Sequence, residues 1–249
     1  MNYTRPKHVL ISEVLVSMDH ELLSESKCWF GGGTAIVLRL GEYRESLDID
    51  FMCADVDGYR ELRTAFFESG IHSVFKDDVK AVREVKSDAY GIRGLVEYKG
   101  QLIKFEIVRE SRISLEGERD PVIGVPTLVV SDMFAEKLLA NADRCFDRAV
   151  AYRDAIDLGC LVDAYGDIPD EAVAKAEKAY GPDVSRKMAG VLNRLLDIEE
   201  IRHAATVLDM DFEAAVGAIA SLRLASVRMW PDAGIEPDPE PSKDSDYGF

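Results

Sequence analysis

The chain has 249 residues, 47% of them hydrophobic and 31% charged, with a formal net charge of −16 at pH 7. This is the make-up of a globular protein with enough chain for one large domain or two modest ones. The charge excludes a broadly basic surface for DNA or RNA, because phosphate contacts need Lys and Arg, so nucleic-acid contact would require a local patch.

In chain order, residues 6–26 place Val9, Leu10, Val14, Leu15, Met18, Leu22 and Leu23 at helical spacing, which predicts one amphipathic helix. Cys28-Trp29-Phe30 reads as a short strand and Gly31-Gly32-Gly33 as a turn. Thr34 then reads as the cap of a helix that runs to Leu40 and stops at Gly41. A strand is predicted over residues 47–53 and a helix over 58–69. Between residues 81 and 109 the apolar period changes to two, with Lys99-Gly100 as the turn of a hairpin. After Pro126 strand signals nearly vanish. Helices are predicted over residues 131–144, 147–164, 170–180, 183–196, 198–208 and 211–229, several opening on Asp or Ser.

The expected architecture is therefore α+β. A mixed sheet with helices occupies residues 1–125, a helical bundle follows over 126–230, and an acidic, Pro-rich, disordered tail closes the chain over 231–249. No apolar run reaches the roughly 20 residues that span a bilayer, and no signal-peptide order opens the chain, so a cytoplasmic protein without membrane contact is expected. The four cysteines form no C-x-x-C pair and the four histidines are scattered, which leaves reduced thiols and no zinc spacing.

Chemistry concentrates in one stretch. Asp48 and Asp50 interleave with Leu47, Ile49 and Phe51, so in a strand both carboxylates share a face. Like charges so placed raise each other's pKa unless a cation intervenes, and this predicts a divalent metal site. Asp55-Val-Asp57, Asp209-Met-Asp211 and Asp244-Ser-Asp246 share the spacing but fall in predicted loops, helix starts or the tail. Glu106, in Lys104-Phe105-Glu106-Ile107-Val108, is the candidate third carboxylate from a neighbouring strand, as in sites where two cations clamp an attacking and a leaving oxygen. The glycines fit neither a P-loop nor a dinucleotide fingerprint, yet they precede a helix whose open N–H groups can receive phosphate.

Gly32-Gly33-Thr34-Ala35, followed by Arg44-x-Ser46-x-Asp48-Ile49-Asp50-Phe51, resembles the AbiEii/AbiGii toxin branch of the DNA polymerase beta-like nucleotidyltransferase superfamily. Lys137 in Phe134-Ala-Glu-Lys-Leu-Leu and the helix reading Arg153-Asp154-Ala-Ile-Asp157-Leu158 continue that resemblance in the right order, over roughly residues 28–160. The resemblance implies that Gly32, Gly33 and Thr34 approach a nucleoside triphosphate and that Asp48 and Asp50 bind Mg2+. It also implies that Ser46 lies beside the phosphates, where a serine is a regulatory phosphorylation site in some such toxins. Lys137 would contact phosphate, and Asp154 would complete the catalytic set. Arg44 either pairs locally or reaches phosphate through its fork of donors. Asp157, four residues after Arg153, is expected to form a structural ion pair with it. Glu106 departs from the aspartate common on that strand.

The expectation is a Mg2+-dependent nucleotidyltransferase acting from an NTP, the toxin of a toxin–antitoxin or abortive-infection system, with an antitoxin protein as partner and the tRNA 3′ end as acceptor. Three rivals stand beside it: a small-molecule transferase of the aminoglycoside-modifying kind, a kinase-like phosphoryl transferase, and a non-catalytic partner-binding module on the same fold.

Overall fold

The computed structural model describes residues 3–76 and 78–237; the predicted disorder of the tail falls, from residue 238 onward, outside the described residues. Pro6 opens helix α1 (Pro6–Ser17) at a position where its missing N–H is not needed. The single helix expected over 6–26 is two. Met18 is extended, and the Asp19 carboxylate takes the N–H of Leu22 to start α2 (His20–Glu25). An aspartate that can satisfy a free N–H favours a new helix start over continuation of the old helix.

Strand β1 (Cys28–Gly31) leads directly into α3 (Gly32–Arg39), and β2 (Ile49–Cys53) returns antiparallel to β1. Helix α3 is capped at Gly31, three residues before the expected cap, so Thr34 lies inside its first turn. Asp55 caps α4 (Val56–Ser69) through the N–H of Gly58. Two short strands, β3 (Lys80–Ala81) and β4 (Lys86–Ser87), flank the long hairpin of β5 (Gly91–Tyr98) and β6 (Gln101–Arg109). Its turn residues Lys99 and Gly100 have φ of 48° and 81°, the double positive φ that a tight hairpin requires.

Two further strands were not expected. β7 (Gly117–Arg119) pairs with β8 (Pro126–Leu128), and β8 lies parallel to β1, so the chain completes the sheet before its helical part begins. Pro126 is tolerated because it opens a three-residue strand rather than interrupting one. The sheet runs β3-β5-β6-β2-β1-β8-β7, with β4 beside β5. It is mixed: β2 and β6 are parallel, as are β1 and β8.

The helical part comprises α5 (Val130–Arg144), α6 (Arg153–Tyr165), α7 (Asp170–Tyr180), α8 (Asp183–Arg194), α9 (Ile198–Val207) and α10 (Phe212–Met229). Asp147, expected to open α6, caps only a three-residue turn, because Ala151 and Tyr152 have φ of 51° and 52° and break the helix there. One apolar core runs from Ile11 through Phe51 and Phe105 to Leu138, Leu158 and Leu222, so sheet and helical bundle share it. Residues 231–237 pack back along α8, where Asn193 hydrogen-bonds Gly234 and Glu236. No helix among the described residues is long and apolar enough to cross a membrane.

Helices α6 and α10 approach closely at Gly159, where an added Cβ would run into the backbone oxygen of Ala218. Gly159→Ala is expected to force the helices apart and destabilise the protein by about 1–3 kcal/mol. At Gly217, in α10, an added Cβ meets open space, so Gly217→Ala should instead gain up to about 1 kcal/mol of helix propensity. Urea midpoints of the two variants measure the difference.

Candidate functional site

The end of β1 and the start of α3 shape one wall of a cleft with about 270 Å³ of room for solvent. Gly32 has φ of 67°, and a Cβ there would lie 2.9 Å from the Asp50 carboxylate. At Gly33 a Cβ would displace the Arg44 guanidinium and press on Ser46 and Asp157. The glycines are thus required by the side chains gathered around them as well as by the turn. The N-terminus of α3 opens beside these groups, offering N–H donors and the positive end of the helix dipole.

Asp50 is in β2, in register with Gly31 on one side and Glu106 of β6 on the other. Asp48 lies just before β2 rather than inside it, on the same side as Asp50 in the cleft. Asp50 is nearly buried and makes no ion pair among the described residues. Its carboxyl is pushed up to about 6, by burial first and then by the charges of Asp48 and Glu106. Glu106 is differently placed: Arg93 donates to it at 2.7 Å and the Lys104 ammonium lies 3.4 Å away.

From the helical side comes a buried ionic network. Asp157, fully buried, accepts two hydrogen bonds from Arg44, at 2.7 and 2.8 Å, and one from Tyr43 at 2.7 Å. Lys137 of α5 lies 2.6 Å from Asp157 and 2.9 Å from Asp154. Arg144 closes the chain with two bonds to Asp154, at 2.7 and 3.0 Å. Burial works against ionisation of both aspartates, yet the cations win: Lys137 and Arg144 hold Asp154 far below the usual carboxylate range, and Arg44 and Lys137 hold Asp157 below it. Three cations face two carboxylates here, so the network carries one net positive charge beside the cleft.

The loop carrying Arg44, Ser46 and Asp48 is pinned from the other end of the chain. His8 of α1 is fully buried, and burial lowers its pKa, so the ring is neutral. Its Nε2 accepts the Ser46 N–H at 3.2 Å, which leaves Nδ1 protonated to donate to Glu42 at 3.0 Å. The Thr34 and Ser46 hydroxyls share a hydrogen bond of 2.9 Å.

Gly32, Gly33, Arg44, Ser46, Asp48, Asp50, Glu106 and Lys137 all line the cleft. Thr34 and Asp154 do not: Thr34 is buried against Ser46, and Asp154 lies behind Lys137 and Arg144. Asp154 therefore holds the two cations in place and does not itself face the cleft. The pair expected between Arg153 and Asp157 does not form. Asp157 turns inward to Arg44, and Arg153 lines the cleft without an ion-pair partner among the described residues. Lys104, Arg112, Glu136 and Arg144 are among the further lining residues and were not singled out in the sequence. Glu136 is buried against Glu110, and burial first, then that neighbouring charge, push its carboxyl up to about 8, making it a neutral acid in the wall. Glu136 and Arg144 lie on the same helix as Lys137, whereas Lys104 and Arg112 reach the cleft from β6 and the segment after it, and no local pattern in the sequence signals them.

Among the described residues no three His, Cys, Asp or Glu side chains are drawn together into a ready-made metal cage. Asp50, largely buried beside Asp48 and Glu106 and in no ion pair among the described residues, nevertheless fits a divalent cation shared with Asp48. Glu106 would join it only by giving up Arg93 or Lys104.

Over residues 15–228 the sequence matches the family described as "Nucleotidyl transferase AbiEii toxin, Type IV TA system". No curated protein matches the chain. Among solved structures, an antigenic nucleotidyltransferase-like protein from Paracoccidioides brasiliensis aligns with 16% identity and a TM-score of 0.42, over 74% of this chain and 93% of that one.

Asp157→Ala would leave Arg44 and Lys137 buried without their shared partner, a loss of about 3–5 kcal/mol measurable by chemical denaturation. The pH dependence follows from the lowered pKa values of Asp154 and Asp157. Their contribution is present above the ordinary carboxylate range and is lost as pH falls through and below it, so in wild type the urea midpoint should drop on the acid side. Asp157→Ala should flatten that drop.

Proposed function

Because the chain belongs to the AbiEii nucleotidyltransferase toxin family, we propose that its cleft binds a nucleoside triphosphate with Mg2+ and transfers the nucleotidyl group to an RNA hydroxyl, at a tRNA 3′ end. One observation carries this reading: the uncompensated carboxylates Asp48 and Asp50 share a cleft with a cation-rich network of net positive charge. Carboxylates that want a cation, next to cations that want an anion, match the metal and phosphate ends of a metal–triphosphate substrate.

Asp48 and Asp50 would hold the magnesium, whose charge would offset that developing on the reacting phosphate. The chain's own groups do the rest. The α3 N–H donors and the hydroxyl of Ser46 receive phosphate oxygens. Arg44 and Lys137, locked by Asp157 and Asp154, present fixed positive charge that needs no reorganisation during the reaction. Arg153, which has no ion-pair partner among the described residues, takes charge on the departing pyrophosphate. An oxygen of Asp50, or of Glu106, accepts the proton of the acceptor hydroxyl as the hydroxyl oxygen bonds the α-phosphorus and the bond from the α-phosphorus to the bridging oxygen breaks, releasing pyrophosphate.

In this reading residues 1–125 form the catalytic part, and residues 126–230 form the helical part that supplies Lys137, Asp154 and Asp157. The chain acts in the cytoplasm as a toxin restrained by an antitoxin protein.

With an NTP labelled at the α-phosphate, label should pass to tRNA, and Asp48→Ala should reduce transfer by roughly 10²-fold or more. Label in a small molecule would redirect the acceptor; no transfer and no metal-dependent nucleotide binding would sink the enzyme. As a check without turnover, Mg2+ with a non-hydrolysable NTP should raise the melting temperature of wild type and leave that of Asp50→Asn unmoved.

A further inference from the structure

β2 and β6 are parallel, so both leave the cleft at the same end, and the residues just beyond them line a second cleft with about 670 Å³ of room for solvent. Ala54 and Asp55 follow β2, while Arg109 closes β6 and Ser111 follows it. Ala54 lies four residues along the chain from Asp50, roughly 13 Å at about 3.3 Å per residue. Arg112 lines both clefts and so stands at their junction, tied to Glu110 at 2.6 Å and to Asp143 at 3.1 Å.

The second cleft reverses the sign of the molecule. In a chain of net charge −16, its walls bring together Lys27, Arg109, Arg112, Lys175 and Lys178 against two carboxylates. These cations come from the turn before β1, the end of β6 and the segment after it, and α7, so separate elements bring them to one cleft. Lys175 is spent on buried Asp132, at 2.5 Å, and Lys27 lies 3.2 Å from Asp55. Arg109 and Lys178 have no ion-pair partner among the described residues; the Arg109 guanidinium rests over the Tyr59 ring at 5.9 Å, and Lys178 is exposed in the last turn of α7. A positively lined cleft that shares Arg112 with the cleft of the paired carboxylates fits an extended polyanion whose end reaches them.

We propose that the second cleft seats the phosphodiester backbone of the acceptor strand, with Arg109 and Lys178 on phosphates upstream of the hydroxyl that reacts at Asp50. Arg112 marks the passage from strand to nucleotide. This inference rests on the nucleotidyl-transfer reading above, and it places the strand's entry on the sheet's β2–β6 end rather than across the acidic remainder of the surface.

Salt dependence of strand binding tests it. A fluorescent single-stranded RNA oligonucleotide with a free 3′-hydroxyl is titrated with the full chain, and log affinity is plotted against log salt. Removing one cation from a phosphate flattens the slope by about 0.7, so Arg109→Gln/Lys178→Gln should flatten it by about 1.4 and weaken binding at low salt. Binding of the NTP with Mg2+ should be unchanged. Lys178→Gln alone, at an exposed position, should flatten the slope by about 0.7 and keeps the test available if the double variant fails to fold. A slope and affinity equal to wild type in these variants would overturn the cleft assignment while leaving nucleotidyl transfer intact. Wild type that binds nucleotide but shows no salt-dependent affinity for the oligonucleotide would do the same. Loss of nucleotide binding by wild type itself would instead remove the transferase reading, and this inference with it.

Discussion

Asp157 is the point on which the site's geometry depends. It is fully buried, and it binds Arg44 from the loop before β2 and Lys137 from α5 at once. One carboxylate thereby ties the sheet to the helical bundle and fixes two cations at the edge of the cleft. Such a buried ion pair is not a large source of net stability, because desolvation offsets most of its Coulomb energy. Its value is directional: with the fork of Arg44 satisfied at both ends, the guanidinium has one orientation, and Lys137 is held between two aspartates.

Around that anchor the carboxylates divide into two kinds. Asp154 and Asp157 are surrounded by cations and stay ionised despite burial, whereas at Asp50 burial, with Asp48 and Glu106 nearby, outweighs Lys104 and Lys137 and disfavours ionisation. The first pair holds the site together. The second environment is unfavourable unless a cation is supplied, and that is the sort of local cost that structures retain at functional sites. His8 and Glu42 add a third layer by holding the backbone of Ser46, so the Arg44–Asp48 loop is tied at both ends.

Two departures in the helices share a cause, which is competition among local hydrogen-bonding options, and two others do not. Asp19 splits the first helix by offering its carboxylate to Leu22, and Asp147 caps a short turn instead of α6. Pro126–Leu128 is too short for an alternating pattern to show, so its place beside β1 was invisible until the sheet was assembled. The Arg153–Asp157 spacing suited a pair on the helix surface, but Asp157 found a buried partner 113 residues away.

What the sequence determined by itself is what depends on near neighbours: the hairpin at Lys99-Gly100, a strand that passes through glycines into a helix, two aspartates on one side of a strand start, and most helices set by period and cap. These follow from backbone sterics and side-chain periodicity over a few residues. Only the tertiary structure decided which charges meet. The register Asp50↔Glu106, the diversion of Glu106 to Arg93, the retreat of Asp154 behind Lys137 and the joining of two clefts at Arg112 all depend on contacts between distant segments. Charge pairing carries no periodic signature along the chain, because a carboxylate's choice among cations is set by burial and distance after folding.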